Sequence, residues 1–142
     1  MRHVILPDKD VAELRLVAQS GIAHLPIATE SITPLELVEM IFAMVLKLRS
    51  QPQKPDNEVI NSLCLLYGYC IQLDCSWKWH ILFYEDENFD YAIVSPDETF
   101  YVLPRGMVWD HFKNLKHNLV LQFRMISEGR LPECDGTWNE LS

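Results

Sequence analysis

A chain of 142 residues, 49% hydrophobic and 23% charged, is the size of one domain and buries roughly two thirds of its unfolded surface around one core. That composition excludes an intrinsically disordered chain. Twelve basic against twenty acidic side chains, a net charge of -8, argue against a nucleic-acid partner, because phosphate recognition needs clustered Lys and Arg.

The apolar run Val4-Ile5-Leu6 before Pro7 falls short of a secretory core, and no later run approaches the ~18 residues of a membrane span. The expectation is a cytoplasmic protein without a membrane partner. Cys64, Cys70, Cys75 and Cys134 contain no C-x-x-C pair, so neither a disulfide scaffold nor a zinc site is expected. Cys64 and Cys70, six apart on a helix, point about 120° away from each other and read as small buried thiols. Cys75, at a helix-to-strand junction, is the one candidate for reactivity.

The first helix is predicted over Asp10–Ser20, capped by Asp8 or Asp10 and stopped at Gly21. Residues 22–32, with His24 and Pro26, read as a loop. Thr33-Pro34 opens a second helix more clearly: Thr accepts a first-turn amide, and Pro at the first helical position lacks the donor that would be orphaned. Glu36, Lys47 and Arg49 complement its dipole, and Leu37, Val38, Ile41, Phe42, Val45 and Leu48 form its apolar stripe up to about Ser50. Q-P-Q-K-P-D-N is a hinge between helices. Asp56 or Asn57 caps a third helix, broad in its apolar face and ending near Leu73, where Gly68 costs about 1 kcal/mol relative to Ala and so implies close approach of another element.

From Ser76 the period becomes two. Trp77, Trp79, Ile81 and Phe83 should face the helices, with Lys78, His80, Leu82 and Tyr84 opposite. E-D-E-N-F-D reverses the chain, Tyr91–Val94 is a second strand, S-P-D-E is a turn, and Thr99–Leu103 is a third strand. Only one of Phe100 and Tyr101 can face the helices. Pro104 closes this three-stranded antiparallel meander. A long helix follows on Val108, Phe112, Leu115, Leu119, Gln122 or Phe123, and Ile126, stopped by Gly129, and Trp138 is expected to dock the tail. The fold class is α+β: N-terminal helices, a three-stranded meander and a long C-terminal helix in one domain.

A helix with an internal Gly68, a W-x-W strand that includes Trp79, a short aliphatic strand, a turn with Pro96, a third strand ending in Pro104 and an amphipathic helix resemble a group of small bacterial domains of unknown function. Such domains are also met among immunity proteins and antitoxin-like neighbours of polymorphic toxins. The likeness covers about residues 59–129. It implies a stoichiometric binding protein and not an enzyme, and its shared residues are structural, so it carries no catalytic site.

No chemical constellation competes strongly. His111 and His117 fall on different faces of one helix, neither with a carboxylate at the spacing of a metal site. His80 and Cys75 are separated by an odd number of residues, on opposite faces if both lie on a strand. Asp110 and Glu128 are too far apart on one helix for paired acid and base work. Neither catalytic residues, nor a metal, nor a cofactor is expected. Charge is the more informative signal: residues 61–142 carry six basic and twelve acidic side chains. Glu85, Asp86, Glu87, Asp90, Asp97 and Glu98 are interleaved with Phe89, Tyr91 and Tyr101, a pattern of aromatic anchors rimmed by steering charges. The leading expectation is a partner-binding surface for a basic protein, with an immunity protein neutralising a toxin as its concrete form. The alternatives are a homodimeric or adaptor domain using the same face, and a small enzyme working through Cys75 or a histidine.

Overall fold

The structure is a computed structural model and describes residues 2–26, 32–53, 56–112, 118–133 and 138–141. Its helices form where local signals are strongest. α2 (Pro34–Ser50) starts on Thr33, whose hydroxyl oxygen accepts the Glu36 amide at 3.2 Å. α3 (Asn57–Cys75) starts on Asp56, whose carboxylate accepts the Glu58 amide at 2.8 Å. Each cap satisfies an amide that lacks an intrahelical partner.

α1 (Asp8–Ile22) differs from its expected form in two ways. Its N-cap is Pro7, without a side-chain cap, so Asp8 and Asp10 act as first-turn charges. Gly21 lies inside the helix instead of ending it. A Cβ there would meet the Ser62 carbonyl oxygen at 2.8 Å, so the glycine permits close packing of α1 on α3. Gly68 does have the packing role expected of it: a Cβ would sit 2.3 Å from Cη2 of Trp79 and 2.9 Å from Pro104 Cγ. α3 is the hub of the core, with ten buried residues and with α1, α2, α4 (Pro104–Asp110) and α5 (Leu119–Ser127) all packed against it.

Among the described residues the sheet has five strands in the order β1-β2-β3-β4-β5. β2 (Lys78–Phe83), β3 (Phe89–Val94) and β4 (Phe100–Val102) pair antiparallel in succession, but the three-stranded meander expected from the sequence does not match the sheet, which is five-stranded and mixed. β1 (Arg2–Ile5) pairs antiparallel with β2, and β5 (Asn139–Glu140) pairs parallel with β4. The segment read as a reversal is also shorter than expected, because Phe89 and Asp90 already pair with Phe83 and Leu82.

The long C-terminal helix is two helices. α4 ends at Asp110, and α5 begins afresh at Asn118, whose side chain accepts the Leu121 amide at 3.0 Å. Leu115 and His117 lie outside the described residues. α5 ends before Gly129, which adopts φ +70° as a C-terminal glycine does.

The sheet separates two apolar layers. Trp79, Ile93, Phe100 and Val102 join the helices in the main core, with Ile81 and Tyr91 packed at its margin. On the opposite face Leu82, Ala92, Val94 and Tyr101 are covered by Tyr84, Leu103 and Trp138. Phe100 and Tyr101 divide between the faces as alternation requires. Among the described residues no helix is long and apolar enough to cross a membrane.

Candidate functional site

Two turns at opposite ends of β3 carry Glu85, Asp86 and Glu87 on one side and Asp97 and Glu98 on the other, while Asp90 lies on β3 itself. Six residues at about 3.3 Å each separate the turns by roughly 20 Å. The aromatic and acidic residues expected to share one surface are therefore divided, and Tyr101 is on neither part. It is 6% exposed, its ring stacked on Trp138 at 3.9 Å between centroids. The outer sheet face is a second small core, so Tyr101 is withdrawn as a contact residue.

The β2–β3 tip is Glu85-Asp86-Glu87. The Tyr84 amide donates to the Asn88 carbonyl at 2.9 Å, and the Asp86 carboxylate accepts both the backbone amide and the side-chain amide of Asn88, at 3.2 and 2.8 Å. Glu87 closes the loop at φ +69°, a conformation in which hairpins commonly place Gly or Asn. Phe89 follows, 51% exposed and edge-on to Tyr91 at 5.8 Å. Asp90 is set apart from this group. Burial pushes its carboxyl above the usual range, against the Tyr91 amide and the Arg105 guanidinium, which lies 3.8 Å away. Among the described residues neither Glu85 nor Glu87 has a cation within ion-pair distance.

The second turn, Ser95–Glu98, is held by its first residue. Ser95 Oγ accepts the amides of Thr99 and Phe100 at 3.1 and 3.0 Å and donates to Asp97 at 2.8 Å. The bond from the Ser95 hydroxyl, followed by one from the Thr99 amide, lowers the Asp97 pKa. Glu98, at φ +58°, is turned towards β2, where His80 lies buried on the outer face.

Sequence reading missed a contact there. His3, on β1, is diagonal to His80 on the same face, and their Nδ1 atoms are 3.0 Å apart. One donor atom from each of His3, His80 and Glu98 lies within 4.8 Å of the others. The three line a cleft of about 350 Å³ with Ile5, Lys78 and Pro96, and Trp138 stacks on His3 at 4.0 Å. A separation of 77 residues hid the pair. The alternation that put His80 on the outer face was visible; the strand that carries His3 to it was not.

The remaining described candidates lie in separate settings. Cys75 is the last residue of α3, and burial, followed by the neighbouring Asp74 carboxylate, pushes its thiol up to about 11. Burial likewise raises Cys64, and takes Cys70 to about 12. Thiols so shifted are poor nucleophiles at neutral pH. His111 is buried in the core, and its Nδ1 donates to the Met107 carbonyl at 2.8 Å. Asp110 and Glu128 terminate different helices, and Glu128 pairs with Arg130. No known protein family, curated protein or solved structure matches this chain.

Proposed function

We propose that this chain is a non-catalytic protein-binding domain that presents the β2–β3 tip to a basic partner. One observation carries the reading: three carboxylates sit at an exposed tip beside a half-exposed Phe89. Glu87 holds its place in a backbone conformation that costs a non-glycine residue roughly 1 kcal/mol. Anchoring aromatics flanked by charges that steer encounter are the usual anatomy of a protein interface. The acidity of the tip favours a basic partner, and a toxin is the concrete form proposed for it. The raised thiol of Cys75 favours binding over covalent catalysis.

The test is replacement of Glu85, Asp86 and Glu87 together by Lys. These positions are exposed, so the circular dichroism spectrum should be unchanged while affinity for a partner isolated with the wild-type chain falls at least about tenfold, more at low salt than at high. Equal affinity in the variant would refute the tip as the site.

Self-association has a separate basis. β1 is an edge strand, with Val4 and Ile5 45% and 52% exposed, and open edges pair with other strands. Sedimentation as a monomer at micromolar concentration would count against that reading.

A further inference from the structure

We propose that His3, His80 and Glu98 form a binding site for a divalent transition metal, with Zn²⁺ the ion that fits best. The proposal is independent of the tip at the other end of β3. Three different parts of the chain supply the donors: β1 gives His3, β2 gives His80 and the Ser95–Glu98 turn gives Glu98. Strand register puts both histidines on one face, on a diagonal, where long side chains of neighbouring strands meet.

The distances suit the ion. Two imidazole nitrogens bound to tetrahedral Zn²⁺ at 2.0–2.1 Å are about 3.3 Å apart, and the Nδ1 atoms of His3 and His80 stand at 3.0 Å. The imidazole nitrogens need part by only a few tenths of an ångström, and the Glu98 carboxylate, within 4.8 Å of them, would close by up to about 1.5 Å to complete the protein's ligand set. Two imidazoles and one carboxylate are borderline donors that suit zinc, whereas Ca²⁺ and Mg²⁺ take oxygen ligands. Water from the cleft would complete the coordination. The stack of Trp138 on His3 fixes the plane of one ligand ring, as packing around a metal site must. Lys78 lines the same cleft and opposes a cation, an effect the Glu98 carboxylate offsets.

Equilibrium dialysis of the untagged chain against Zn²⁺ should give one ion per chain, and Co²⁺ in its place should give the visible absorption of a tetrahedral site. His80→Gln and Glu98→Gln should each weaken Zn²⁺ binding at least about tenfold. Glu98 is exposed, so its variant reports on binding without a risk to folding, and Glu39→Gln, an exposed carboxylate on α2, should bind as the wild type does. Zinc should also raise the melting temperature of the wild type and not of Glu98→Gln. Substoichiometric binding, or equal affinity in wild type and Glu98→Gln, would overturn the site and leave His3 and His80 as a hydrogen-bonded pair.

Discussion

Gly68 shows how far one missing methyl group reaches. Its hydrogen faces the edge of the Trp79 indole and the ring of Pro104, so the third helix, the second strand and the fourth helix meet at one point. Gly68→Ala gains helix propensity of up to about 1 kcal/mol but forces an indole out of a close-packed site, which typically costs about 1–3 kcal/mol or more. A net loss of stability is expected in urea titration, with the slope unchanged. Glycine inside an apolar helix was a legible sign here because helix continued on both sides. Gly21 carried the same sign near a helix end, where the commoner use of glycine as a stop concealed it. Cys75, pushed up to about 11 by burial and Asp74, should react with iodoacetamide at neutral pH far more slowly than a free model thiol. Asp97, with its pKa lowered by the Ser95 hydroxyl and the Thr99 amide, contributes stability that is present above the ordinary value of 3.8 and is lost as pH falls through its lower folded value. Melting curves taken through that acid window should therefore fall more steeply for wild type than for Asp97→Asn.

Between elements, the least visible tie in the sequence is a buried polar strut. The Tyr67 hydroxyl donates to Gln122 Oε1 at 2.5 Å, and Gln122 Nε2 donates to the Leu141 carbonyl at 3.2 Å. α3, α5 and the end of β5 are joined through one amide. Tyr67→Phe would leave that amide oxygen buried without its donor, at a cost of about 1–3 kcal/mol, readable by denaturant unfolding. Gln122 fell on the apolar stripe by its spacing, and periodicity cannot distinguish a buried amide from a buried Leu. The helices that were read well, α2 and α3, have capping residues and long stripes, signals contained within one segment. β1 and β5 have four and two residues, too short for a period, and exist because distant strands offer them an edge. α4 and α5 share a continuous three-and-four spacing, so the break before Asn118 was hidden by the pattern that had identified the helix.

For the molecule as a whole, the excess acidity of the second half of the chain is not one surface. The sheet is covered on both faces, by the helices on one and by Trp138, Tyr84 and Leu103 on the other. Acidic side chains are left at the two ends of β3, where they take different chemistry: carboxylates beside an aromatic at one end, a carboxylate beside two imidazoles at the other. Composition revealed the charge and alternation revealed the strands, but only the pairing of β1 with β2 brings His3 to His80. The first of these ends is the proposed partner site. Its most direct measurement is the affinity of a purified partner for wild type and for the chain with Glu85, Asp86 and Glu87 changed to Lys, each at low and high salt. The expected result is a tenfold or greater loss in the variant at low salt that narrows as salt rises; equal affinities at low salt would contradict it.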